Sequence, residues 1–222
     1  MAGPRKRPAR GRASLRTGPL SAERIVDAAL ALVERDGLEA FSARRLGQEL
    51  GCEAMSIYHF FRSKQHLTDA LVERAIGSVE FPDESLPPLE RLGRLMHAYR
   101  AMAHRHARLF PLVAVHRLNT RVGVSFIERL LGVFRDALDD DELAARYFRV
   151  AGYYLMGAGL DETSGYAKGP SAAEPVDDKF VARECPQLAR SARYFQRKEW
   201  DATFDLGVAA LLEAIRRARR RG

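Results

Sequence analysis

Between residues 21 and 64 the chain alternates helix starts with helix stops, at intervals that leave room only for short helices. Ser21 precedes an apolar face at Ile25, Ala29, Leu32 and Val33, spaced i, i+4, i+7 and i+8. A serine there accepts a hydrogen bond from an otherwise unpaired N–H of the first turn, and Glu23 adds favourable charge at that end. Gly37 is placed to supply a left-handed stop. Ser42 then opens a second helix that turns Leu46 and Leu50 inward, and Gly51 ends it. A third helix is expected over roughly Ala54–Phe61, and Ser63 caps a fourth that carries Leu67, Leu71 and Ala75 on one side. Two short helices joined by a tight turn at Gly51 make a helix-turn-helix.

Pro82, Pro87 and Pro88 break the pattern and mark the domain boundary. Beyond them the periodicity is again helical. Leu92, Leu95, Met96, Tyr99 and Met102 share one segment, and Pro111 interrupts or starts a short one reaching His116. Val122 to Leu138 forms a third, and Glu142 to about Leu160 is apolar on nearly all sides, so it must be covered all round. Residues 161–190 read as loop, with the acidic pair Asp161–Glu162 as a solvated helix end. A last helix runs over about Lys198–Arg219. No alternating strand and no repeat is found. The expected fold is all-α: a disordered basic leader (1–19), a three-helix helix-turn-helix domain (20–80) and a helical domain (85–222).

The formal net charge is +7, but it is concentrated at the ends. Arg5, Lys6, Arg7, Arg10, Arg12 and Arg16 lie in the leader, and Arg216, Arg217, Arg219, Arg220 and Arg221 close the chain. The body between them holds 25 basic against 29 acidic residues, a net of −4. Charge alone is therefore a weak argument for nucleic acid, and spacing has to carry it. Cys52 and Cys185 offer neither metal spacing nor a disulfide framework. No apolar run approaches the ~18 residues of a membrane helix, and the leader lacks an apolar signal core. The expectation is a cytoplasmic protein with no membrane association.

In a helix-turn-helix the second helix presents side chains to base edges in the major groove, and the first crosses the backbone. Ala54, Met55, Ser56 and His59 fit the reading face. Ile57, with Phe60 or Phe61 or both, would anchor the opposite face, and small Gly47 would let the third helix approach closely. Lys64 stands at the first position of the fourth helix, where unpaired N–H groups already favour a phosphate. The Tyr58 hydroxyl can reach a second phosphate, and Arg44 and Arg45 can lie beside the backbone.

The pattern "DGLEAFSARRLGQELG", then Ile57-Tyr58-x-x-Phe61-x-Ser63-Lys64, then Leu67 and Leu71, resembles the N-terminal domain of the TetR family of transcriptional regulators over residues 20–70. The resemblance implies a double-stranded DNA operator read by the second and third helices, with Tyr58 and Lys64 as its main contacts. It also implies a homodimer whose C-terminal helices form a four-helix interface and bind a small molecule. Cys52, Glu53 and Phe60 depart from the family pattern, and Glu53 would repel phosphate unless it accepts from a cytosine amino group.

Carried onto this chain, the dimer would use helices at about 142–160 and 198–219, with Gly152, Gly157, Gly159, Gly207 and Ala210 permitting close approach. Tyr99, Met102, Phe110, His116, Phe126, Tyr153 and Met156 are the candidate lining of a pocket for a largely apolar effector. His97, His104, His106 and His116 complete no metal-ligand spacing, and no histidine base accompanies Ser164, so neither a metal, a cofactor nor a catalytic residue is expected. The expected function is a homodimeric repressor released from its operator by a ligand. The alternatives are a small-molecule-binding or catalytic helical protein with a purely structural helix-turn-helix, and a transcriptional activator.

Overall fold

Serine caps and apolar faces produce helices where the spacing places them. The computed structural model describes residues 18–170 and 172–220, which are 75% helical with no strand. The expected disordered leader lies, apart from Gly18 and Pro19, outside the described residues, as does Arg221. The chain divides into two compact units at Arg74/Ala75.

The first unit holds α1 (Ala22–Asp36), α2 (Ala43–Leu50), α3 (Ala54–Tyr58) and most of α4 (Lys64–Ile76). The Ser21 hydroxyl accepts from the Arg24 amide at 3.2 Å, that of Ser42 from Arg45 at 3.3 Å, and that of Ser63 from His66 at 3.1 Å. Gly51 closes α2 in the left-handed region, φ 70° and ψ 33°. Gly37 differs from expectation: its φ is 89° but its ψ is 167°, so it swings the chain into a short 3-10 turn at Leu38–Ala40. Ile25, Ala29, Leu32, Leu46, Leu50, Ile57, Phe61, Leu67 and Leu71 are buried together. Each of these side chains other than Ala29 stabilises the unit by roughly 1.5–3 kcal/mol relative to exposure.

α3 is shorter than expected. It ends at Tyr58 because the N–H groups of Phe60 and Phe61 both converge on the Ile57 carbonyl at 3.0 Å, tightening the chain out of the helix. That turn sends Phe61 into the core and leaves Phe60 exposed. Gly47 does what was expected of it: a Cβ there would sit 2.7 Å from the Cys52 carbonyl oxygen and 3.3 Å from the Ala54 nitrogen.

The second unit contains α5 (Pro88–Arg105), α6 (Phe110–Val115), α7 (Arg121–Leu138), α8 (Asp141–Thr163), α9 (Asp178–Glu184), α10 (Pro186–Ser191) and α11 (Trp200–Arg219). The stretch read as loop over 161–190 thus contains the end of α8 and two short helices, and Lys198 belongs to a 3-10 turn preceding α11. α7 and α8 form a hairpin whose turn places Asp139 at φ 55°, with the Asp140 carboxylate accepting from the Leu143 amide at 2.7 Å. Phe204 fastens α11. It stacks on Tyr154 at 5.5 Å, takes the His97 ring edge-on at 5.2 Å and lies under the Arg100 guanidinium at 4.6 Å. The Tyr154 hydroxyl donates to the Phe204 carbonyl at 2.8 Å.

Two of the glycines assigned to a dimer seam are consumed inside the chain. A Cβ on Gly159 would collide with the Phe110 ring, and one on Gly207 with the Tyr154 ring. Gly157 has nothing within 4 Å of a Cβ, and Ala210 is exposed.

Glu162 overturns the reading of a solvated acidic end. Its side chain is 7% exposed and bonds three ways: to Arg100 Nε at 2.7 Å, to Arg100 Nη2 at 3.0 Å and to His104 Nε2 at 2.6 Å. The third Arg100 nitrogen, Nη1, donates to exposed Asp201 at 2.8 Å, so α5, α8 and α11 meet at this cluster. Burial works against the Arg100 charge, but bonds to the two carboxylates outweigh it and hold the guanidinium above its usual range. No helix among the described residues is long and apolar enough to cross a membrane.

Candidate functional site

The outward surface of the first unit is small, and its chemistry is simple. Ile57 faces inward at 1% exposure, which turns Met55 (68% exposed), Tyr58 and His59 outward, with Ala54 and Ser56 half-buried at their sides. Lys64 is exposed at the first turn of α4, and its Nζ lies 5.6 Å from the centre of the Phe41 ring. Phe41, Ser42, Ile57, Tyr58 and Lys64 border one small cleft. Tyr58 and Lys64 are therefore neighbours in space, beside a helix N-terminus whose N–H groups favour an anion.

Arg44 is exposed. Arg45 is exposed too, but its guanidinium is engaged by Asp36 at 2.8 Å; Asp36 in turn pairs with Arg35, which reaches Glu49 at 2.8 Å. Partly exposed pairs of this kind contribute at most ~1 kcal/mol. Exposed Arg62 and Phe60 border the same surface and were missed. The first carried no motif, and the second read as core because nothing in the sequence showed where α3 would end.

The second unit encloses a cavity of about 270 Å³ between α5, α6, α7 and α8. Of the candidate lining residues, Tyr99, His116, Phe126, Tyr153 and Met156 border it. Met102 and Phe110 do not: both are fully buried behind the wall, where the Phe110 ring packs edge-on against Tyr99 at 6.1 Å. Helical spacing places a residue on a buried face, but it does not say whether that face meets a cavity or a neighbouring ring. Burial pushes the Tyr99 phenol up to about 12, so it remains a proton donor. Leu95, Leu130, Phe148, Arg149 and Leu155 also line the cavity and were missed. No group of three or more His, Cys, Asp or Glu among the described residues could hold a metal ion.

A wider groove of about 680 Å³ lies on the outer side of α8 and α11, bordered by Leu143, Tyr147, Ala210, Glu213, Ala214 and Arg217. Val150, Tyr153 and Leu206 are large apolar side chains exposed on the same two helices.

Two family models match the chain. Residues 25–71 fit the model of bacterial regulatory proteins of the tetR family, and residues 86–219 fit the tetracyclin repressor-like C-terminal domain, more than half of the chain. The chain belongs to the TetR family.

TetR-family proteins are DNA-binding transcriptional regulators, and this chain is one of them by class. It is 31% identical over 147 residues to the HTH-type transcriptional repressor DrrR1 of Streptomyces coeruleorubidus, an alignment covering 63% of this chain and spanning about half (53%) of that relative. It is 26% identical over 199 residues to the class A tetracycline repressor protein from transposon 1721 of Escherichia coli, covering 88% of this chain and 90% of the repressor. The TetR-family protein ActR of Streptomyces coelicolor, solved in complex with (S)-DNPA, superposes with a TM-score of 0.69 at 25% identity, covering 89% of this chain and 98% of ActR. As a TetR-family fold, the all-α architecture with its N-terminal helix-turn-helix and C-terminal helical domain agrees with the sequence reading.

Proposed function

We propose that two copies of this chain bind an operator through α2, α3 and the start of α4, and release it when a small molecule enters the cavity of the second unit. The observation that carries the reading is the adjacency of Tyr58 and Lys64 beside an outward α3 seated on Gly47. Residues 20–80 are then the DNA-binding domain and 85–222 the sensor and dimerisation domain. Met55 and His59, flanked by Ala54 and Ser56, read bases. Tyr58, Lys64 and Arg44 hold phosphates, and Arg45 joins them by leaving Asp36.

The dimer uses α8 and α11, whose exposed Val150 and Leu206 and whose apolar groove favour a partner. It holds the two copies of α3 one DNA turn apart, ~34–36 Å. The effector stabilises an alternative spacing, and the shift is limited by its differential affinity for the two states. The coupling element is α4, which starts at Lys64 and runs past the boundary between the units. The protein acts in the cytoplasm and has no catalytic step.

In a gel-shift series on the DNA adjoining its own gene, Lys64→Ala weakens binding to every sequence alike and flattens the log–log salt dependence by about one unit. An unchanged slope removes Lys64 from the phosphate contacts. Met55→Ala and His59→Ala instead alter which half-site is preferred. Light scattering on the purified protein at micromolar concentration returns the mass of a dimer; a monomer defeats the spacing mechanism.

A further inference from the structure

The walls of the cavity are mostly hydrocarbon, with Tyr99 and His116 as polar exceptions, and its mouth is charged. Among the residues that line it, the one permanently charged side chain is Arg149. Other arginines of the second unit are neutralised by acids: Arg91 by Asp136 at 2.7 Å, Arg100 by Glu162, Arg135 by Asp139 at 2.8 Å, and Arg146 by Glu142 at 2.7 Å. Arg149 has no carboxylate partner among the described residues. Its contacts are with Tyr153, to whose hydroxyl oxygen an Nη2 hydrogen is donated at 2.8 Å and whose ring centre is 5.0 Å from Cζ. A phenol whose oxygen accepts from Arg149 keeps its own proton available to donate. The mouth therefore presents a cation and a neighbouring O–H donor with no acid facing them.

We propose that the effector is a compact organic acid: an apolar body of one or two rings in the cavity, with a carboxylate or comparably anionic oxygen group held by Arg149 and Tyr153. This rests on the reading of the cavity as the effector site and adds the ligand's charge and size to it. The size follows from the 270 Å³, which is just below the ~300–1,000 Å³ of small-molecule pockets. The charge follows from electrostatics. A carboxylate bonded to guanidinium at the edge of an apolar cavity is held more strongly than a neutral acceptor, whereas an ammonium group there faces an uncompensated like charge. Tyr99, kept protonated by its burial, offers a further donor to an oxygen on the ring system.

The test uses three molecules of one shape, 2-naphthoate, 2-naphthamide and 2-(aminomethyl)naphthalene, titrated calorimetrically into the full-length protein. Naphthoate is expected to bind at least ~10-fold tighter than the amide, the lower range for a charge-assisted hydrogen bond, and the amine weakest. Arg149→Gln brings naphthoate to within ~2-fold of the amide and leaves the amide unchanged, while Arg149→Lys keeps part of the preference. Gly152→Leu fills the mouth and removes all three; a Cβ there meets only the Met156 methyl, at 3.9 Å, so the helix accommodates it. Equal affinities in the unmodified protein overturn the acid but leave the cavity as a ligand site. An acid preference that survives Arg149→Gln overturns the assignment to that residue. Binding of none of the three, or binding indifferent to Gly152→Leu, overturns the inference together with the cavity reading.

Discussion

Glu162→Ala is expected to lower the free energy of unfolding by about 3–5 kcal/mol, the range for removing one partner of a buried ion pair. The Arg100 side chain is only 12% exposed and keeps its charge, so the truncation leaves a buried guanidinium with exposed Asp201 as its remaining carboxylate. Asp201 is 88% exposed, and its pair with Arg100 compensates little. At roughly 2–4 °C per kcal/mol for a chain of this size, thermal unfolding followed by circular dichroism moves down by on the order of 10 °C. Glu162→Gln retains volume and an acceptor and loses less. The double variant Arg100→Met with Glu162→Leu recovers most of the loss, because well-packed hydrocarbon replaces a buried pair at little cost. If Glu162→Ala unfolds where the unmodified protein does, the cluster is not a structural tie.

Gly47→Val is expected to abolish operator binding, with at least a ~100-fold loss in a gel shift, by unseating α3. The side chain would have to share space with the Cys52 carbonyl and the Ala54 nitrogen, both backbone groups that cannot rotate away. Overpacking of this sort costs ~1–3 kcal/mol when the structure adapts. Here adaptation means lifting the helix whose position the base contacts depend on. Thermolysin should then cut preferentially within residues 43–62, while the second unit stays resistant. Gly132→Ala is the matched control. It lies inside α7 with nothing within 4 Å of a Cβ, and it is expected to stabilise by ~0.5–1 kcal/mol through helix propensity alone. Wild-type DNA affinity in Gly47→Val would refute the close seat as a requirement for binding.

Much of the first unit was legible because its signals are local. A serine that caps, a glycine that reverses the chain and a leucine four residues on act within one or two turns, so Ser42, Leu46, Gly51 and Ser63 announce their elements without reference to anything distant. The exit from α3 was not legible, since it depends on two amide groups choosing one carbonyl. The second unit was legible as helices and much less so as a site. Tyr147 and Tyr154, seven residues apart on α8, share a face, and both donate to carbonyls of α11, at Ala214 and Phe204. Phe148 and Leu155 share another, and both line the cavity. Periodicity delivers faces; what covers a face is a long-range fact. Glu162 is the sharpest case. Beside Asp161 it looks like an ordinary acidic helix end, and only the arrival of Arg100 and His104 from about 60 residues away makes it buried.

The α3 helix is fastened from behind and bare in front. Ile57 is its fully buried side chain and Gly47 its seat, whereas the exposed Met55 and His59 carry no core packing. Substitution at the outward positions therefore leaves folding stability nearly untouched. With Met55 and His59 as the proposed base readers, a lineage carrying this gene can wander from one operator to another without crossing a valley of misfolded intermediates. After a duplication, two copies can come to govern different promoters while still answering to the same chemical cue.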